Sequence, residues 1–112
     1  MDPERARALL QRERERIEKA LRDVAPDDAG ELTDQDQHLA DEASDLYQDE
    51  LDESLREQLL RELEAVERAE LRLTEGTYGL SIESGQPIPD ERLEAFPTAE
   101  RTPEEEARFE RG

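Results

Sequence analysis

Apolar residues in this chain are scarce and fall at spacings of three, four and seven, a pattern that only long helices can bury on one side. Ala6, Leu10, Ile17, Leu21 and Val24 form one such series, and Ala40, Ala43, Tyr47, Leu51, Leu55, Leu59, Leu63, Val66 and Leu73 form a second. Only 33% of the 112 residues are hydrophobic and 43% are charged, so the chain cannot enclose a broad globular core. Two helices that bury a stripe against each other suit this composition.

The punctuation between the series sets the boundaries. Asp2-Pro3 is a helix start, because Asp accepts free first-turn amides and Pro fits the first helical position. The first helix is predicted from about Pro3 to Ala25, where Pro26 and the Asp27-Asp28-Ala29-Gly30 cluster end it. Residues 31–39 are polar and aperiodic and read as a loop. The second helix is predicted from near Ala40 to Gly76. At about 1.5 Å per residue the two would measure about 35 and about 50 Å. An antiparallel coiled-coil hairpin over residues 1–76 follows, with its tip near 36–43.

Beyond Gly76 the pattern changes to short apolar segments broken by Gly79, Gly85, Pro87, Pro89 and Pro97. Tight turns and a small two-stranded hairpin are expected there, then a short helix over Asp90–Ala95. Thr102-Pro103-Glu104-Glu105 is a further helix start, with Thr102 as N-cap and Glu105 completing a capping box. Residues 77–112 are therefore read as a second, smaller lobe ending in a helix to about Glu110.

The formal net charge of −18 argues against direct binding to a nucleic acid backbone, which would repel the surface, and favours a basic partner. Lys19 is the only lysine, and the arginines lie among glutamates, which reads as helix-surface pairing. No apolar run approaches a membrane span, and Met1-Asp2-Pro3-Glu4 does not open a signal peptide, so a cytoplasmic location is expected. The absence of cysteine excludes disulfides, thiol redox chemistry and thiolate-bound metal. No nucleophile, base and orienting group fall into a recognisable pattern, so the chain is read as a non-enzyme without cofactors.

The segments Gly76-Thr77-Tyr78-Gly79, Pro87-Ile88-Pro89, Arg92-Leu93-Glu94-Ala95 and Pro97-Thr98-Ala99 together resemble the C4 zinc-finger module of the DksA/TraR family of bacterial RNA polymerase-binding regulators. The resemblance covers roughly residues 36 to 106; the first helix agrees in pattern only. In that family two Cys-x-x-Cys pairs occupy the places that here read Ser81, Ser84, Thr102 and Glu105. The resemblance thus implies a mainly α protein: a long helical hairpin with a degenerate, zinc-free zinc-finger lobe and a short carboxy-terminal helix.

Four thiolates around zinc supply on the order of 10 kcal/mol in small zinc modules, so their loss calls for a replacement. Hydroxyls are poor zinc ligands, and Glu83 with Glu105 lack a fixed geometry for a hard cation. The residues favour another arrangement. Thr102 and Glu105 would cap a helix, Ser81 and Ser84 would satisfy turn amides, and Ile82, Ile88, Leu93, Phe96 and Phe109 would form an apolar cluster where the ion was.

In the family, the hairpin enters the secondary channel of RNA polymerase, and tip residues of the form Asp-x-x-Asp-x-Ala approach the catalytic centre. The matching segment here is His38-Leu39-Ala40-Asp41-Glu42-Ala43, so Asp41 and Ala43 fit the motif and His38 departs from it. Asp41 has two readings, a carboxylate acting near the polymerase's catalytic magnesium and a cap for the second helix. His38 is equally read as an exposed loop residue, and Leu39 either anchors a partner or covers the end of the hairpin.

Two functions follow. One is a transcription regulator bound in the polymerase secondary channel, expected as a monomer rather than a homodimer. The other is a coiled-coil adaptor or scaffold that has lost polymerase binding and pairs through its Leu51, Leu55, Leu59 stripe. No guanosine tetraphosphate site is assigned.

Overall fold

The computed structural model of the protein describes residues 1–24 and 42–112, with backbone alone for 42–47. Four helices occur among the described residues: α1 (Pro3–Val24), α2 (Glu42–Glu75), α3 (Asp90–Ala95) and α4 (Pro103–Arg111). The predicted loop at 31–39 and the hairpin tip lie outside the described residues. Two compact units are present, one made of Met1–Glu15 and Glu64–Gly112 and the other lying within Arg16–Leu63.

The fold is mainly helical, with α1 and α2 paired antiparallel as the spacing of apolar residues requires. Inside the first unit Arg14 reaches Glu70 at 2.8 Å; inside the second, Arg16 reaches Glu62 at 2.9 Å. Each unit thus joins α1 to α2 through an ion pair of its own.

In the first unit Ala6, Leu9 and Leu10 of α1, Val66 and Ala69 of α2, and Ile88 and Leu93 beyond it are all buried. Their helical members sit three or four apart, which places them on single faces. The second unit buries Ile17 and Leu59. Farther along its helix Leu51 and Leu55 remain 46% and 44% exposed.

A Schellman closure ends α2. The Gly76 amide donates to the Leu73 carbonyl at 3.3 Å and the Thr77 amide to the Arg72 carbonyl at 2.9 Å. Gly76 has φ +85°, a left-handed turn that a side chain would strain. The expected two-stranded hairpin is reduced to one antiparallel bridge between Leu80 and Pro87. Pro at 87 and 89 limits the ladder, since proline has no amide to donate.

Cross-element contacts hold the first unit together. Arg68 and Arg72 both bond Glu100 Oε2, at 2.9 and 3.0 Å. Arg5 bonds both oxygens of Glu94 at 2.9 and 2.6 Å, and this hydrogen bonding holds the Glu94 carboxyl below the usual range. Burial works against the charged form of Glu100, but the two arginines outweigh it and its pKa is lowered as well. Several arginines reach beyond the helix-surface pairing that the sequence suggested. Lys19 and Asp23 form that kind of i,i+4 pair, whereas Arg5, Arg14, Arg16, Arg68 and Arg101 reach other elements. A long planar guanidinium can span packed elements and bind a carboxylate two-fold, which local spacing does not reveal.

Candidate functional site

The segment from Ser81 to Gln86 is a closed turn. The Ser81 amide donates to the Gln86 carbonyl at 2.8 Å, and the Gly85 amide to the Ser81 carbonyl at 3.0 Å. Gly85 makes the reversal with φ +76°. Inside the turn, Ser81 Oγ accepts from the amides of Glu83 and Ser84 at 3.0 and 3.2 Å. Ser84 Oγ accepts from the Gln86 amide at 3.2 Å. The serines thus satisfy turn amides as the sequence implied.

Across from this turn, Thr102 caps α4. Its Oγ1 accepts from the Glu105 amide at 3.2 Å, and the Thr102 amide donates to Glu105 Oε1 at 3.0 Å, which completes the capping box. Pro103 occupies the first helical position, where its missing amide costs nothing.

The two halves meet at one carboxylate. The Ser81 hydroxyl donates to Glu105 Oε1 and the Ser84 hydroxyl to Glu105 Oε2, each at 2.5 Å. Ser81, Ser84, Thr102 and Glu105 therefore meet in one hydrogen-bonded cluster. These hydrogen bonds from Ser81 and Ser84, with the Thr102 amide behind them, hold the Glu105 carboxyl ionised down to about 2. Ser81 and Glu105 are both buried.

This donor set does not fit a structural zinc site. Each serine hydroxyl already uses its proton on Glu105, and Ser81 Oγ accepts two turn amides and Ser84 Oγ one, so an ion binding at Ser81 would have to displace those bonds. Neutral hydroxyls also lack the charge and softness of thiolates. Among the described residues no group of three or more His, Cys, Asp or Glu is placed to hold a metal ion. The carboxylate pair of Glu83 and Glu105 does not form a cation site either: Glu83 bonds Arg101 Nε at 2.8 Å.

The apolar cluster expected in place of the ion is only half present. Ile88 and Leu93 are buried, but Ile82, Phe96 and Phe109 are each more than half exposed. The polar contacts centred on Glu105 occupy the junction between turn and helix, which leaves those three side chains outside it. The guanidinium carbon of Arg101 instead lies 3.8 Å from the Phe109 ring centroid, and that of Arg92 lies 5.7 Å from the Phe96 ring centroid.

Two further contacts brace the lobe. The Tyr78 hydroxyl donates to the Pro97 carbonyl at 2.8 Å, and burial pushes its pKa up to about 12. The Ile82 amide donates to the Glu100 carbonyl at 2.9 Å, so the residue that receives Arg68 and Arg72 also holds the Ser81 turn.

Of the tip residues, His38, Leu39 and Asp41 lie outside the described residues, and Ala43 is described only as part of the α2 backbone.

A search of solved structures pairs the chain with the transcription factor DksA2 from Pseudomonas aeruginosa. The match has a TM-score of 0.73 and 30% identity, and it covers 97% of this chain and 83% of that one. The chain belongs to the DksA-like family. Two relatives from Bacillus subtilis (strain 168) agree in sequence: the uncharacterised protein YteA, 42% identical over 73 residues, and general stress protein 16O, 39% identical over 95 residues. These alignments take in 65% and 83% of this DksA-like chain but 30% and 58% of the two relatives, so the chain spans less than two thirds of either. No family model matches the chain.

Proposed function

We propose that this DksA-like chain is a non-enzymatic transcription regulator that binds RNA polymerase in the cytoplasm, with its helical hairpin in the secondary channel and the tip near the catalytic centre. The observation that carries this reading is the likeness to a transcription factor over 97% of the chain. The combined Gly-Thr-Tyr-Gly, Pro-Ile-Pro and Arg-Leu-Glu-Ala-x-Pro-Thr-Ala segments support it from sequence. The charge of −18 suits a basic channel lining and gives a reason for fast, salt-sensitive association.

A regulator rather than an enzyme also agrees with the state of the lobe's hydroxyls. Ser81 and Ser84 both donate to Glu105, whose carboxyl pKa is lowered to about 2 and which is therefore too weak a base to activate either hydroxyl.

Within this reading Asp41 supplies the active carboxylate, Ala43 allows close approach beside it, and His38 and Leu39 complete the contact. The test is in vitro transcription with Asp41→Asn. The variant is expected to bind polymerase nearly as well as the parent while its effect on transcript yield is reduced. Equal regulation by both proteins would remove Asp41 from the mechanism.

The exposure of Leu51 and Leu55, beside a buried Leu59, gives the adaptor reading one specific support. An apolar stripe that continues past its buried part can pair with another helix. Sedimentation at high concentration decides whether this stripe joins two copies; a strictly monomeric protein contradicts that form of the reading.

A further inference from the structure

We infer that the Glu105 carboxylate stands in for a metal ion, tying the Ser81–Gln86 turn to the start of α4 and making the fold of the lobe independent of metal. A structural ion in this frame joins two points on the turn to two on the helix start. Glu105 makes the same junction by itself. It takes the hydroxyls of Ser81 and Ser84 from the turn, the amide of Thr102 from the cap, and it is anchored through its own amide on Thr102 Oγ1.

The negative charge is what makes one side chain sufficient. Bonds from hydroxyl and amide donors to an ionised carboxylate are shorter and roughly twice as strong as neutral ones, and both serine contacts measure 2.5 Å. The donors are also held in place beforehand. Ser81 Oγ is fixed by two turn amides and Ser84 Oγ by one, so little rotamer freedom is lost when the carboxylate arrives.

Size alone would not reproduce this junction. Glutamine has the shape of glutamate but presents an amide group to one of the two serines, without the charge. Aspartate keeps the charge but is one methylene too short to span the same gap from its place in α4. The network therefore depends on charge and reach together.

The experiment is amide hydrogen exchange by NMR on the full chain, before and after exhaustive treatment with EDTA, and on Glu105→Gln, Glu105→Asp and Ser84→Ala. EDTA is expected to leave the exchange of Glu83, Ser84 and Thr102 unchanged in the parent protein. Glu105→Gln is expected to speed exchange at those three amides by about ten- to a hundredfold, the equivalent of losing bonds to a charged group, while Leu10 and Val66 keep their protection. Glu105→Asp should resemble it, and Ser84→Ala should show a smaller rise confined to the turn.

Faster exchange in the parent after EDTA would show that a bound metal holds the lobe and would overturn the inference. So would parent-like exchange in Glu105→Gln. If that variant does not fold, Ser84→Ala decides: unchanged exchange at the turn amides of Glu83 and residue 84 would show that the carboxylate contacts are incidental.

Discussion

The two compact units differ in how many independent means hold them. Among the described residues, Arg16–Leu63 buries Ile17 and Leu59 and adds the Arg16–Glu62 pair. The unit of Met1–Glu15 and Glu64–Gly112 buries seven apolar side chains and adds the Glu105 junction, the Glu100 pair of arginines and the Tyr78–Pro97 bond. A single stripe suffices for a helix pair, because each turn repeats the same contact and backbone bonds are satisfied within each helix. Short turns have no such repeat, and each must be fixed by its own contacts. The lesson is that a small lobe of short turns need not rely on hydrophobic burial alone; one ionised carboxylate with preset donors can hold the junction between turn and helix.

The sharpest way to break this contrast is to truncate one leucine in each unit. Leu93 is 1% exposed, and Leu93→Ala should cost about 2–5 kcal/mol through lost burial and a residual cavity. Leu55→Ala, at a site 44% exposed, should fall within about 0.5 kcal/mol of the parent. Urea unfolding measures both. Similar losses at the two sites would mean that the units are not held differently.

Next in size is the cap. Thr102→Ala removes the acceptor for the Glu105 amide and should cost about 1 kcal/mol. It should also loosen the serine turn, because the capping box orients the carboxylate. A loss confined to α4, with the turn's amide protection unchanged, would separate cap from junction and weaken the comparison.

Acid gives a test with a defined sign. The Glu105 carboxyl is lowered to about 2 from an ordinary value of 4.5, so the folded state binds fewer protons than the unfolded state between those values. Its contribution is present above pH 4.5 and is lost as pH falls towards 2. Protonation elsewhere also relieves the self-repulsion of a chain at −18, so the informative quantity is the difference between the parent and Glu105→Gln. That difference should shrink steadily between pH 4.5 and 2. A constant difference across this window would show that the charge on Glu105 does not contribute.

The smallest expected effect is at the Arg16–Glu62 pair, whose side chains are 53% and 34% exposed. Arg16→Ala should change stability by less than about 1 kcal/mol, and 0.5 M salt should erase most of the change.

Local features of this fold were legible in the sequence. The Thr102 capping box announces itself within a few residues, because cap chemistry acts over a single turn. The apolar periodicity marked α1 and α2, because a helix repeats its buried face every three or four residues. What the sequence hid is the contact between Ser81 or Ser84 and Glu105, more than twenty positions apart. Glu105 already had a complete local role as a cap, and nothing in its neighbours marked the free capacity of its two oxygens. Ile82, Phe96 and Phe109 misled in the opposite direction: apolar residues in a small lobe suggest a core, yet here the polar junction fills the space they would need. The cross-element reach of Arg5, Arg68 and Arg101 was not legible, because a guanidinium's partner depends on which elements pack beside it. A signal for the junction did exist, since the sequence resemblance singles out Ser81, Ser84, Thr102 and Glu105 together.

The most direct test of the central claim is binding of the EDTA-treated protein to core RNA polymerase from the same organism, in competition with a known secondary-channel ligand. Binding that the competitor displaces is expected, at an affinity EDTA does not alter. No detectable binding at tens of micromolar, weaker than about −6 kcal/mol, would contradict it.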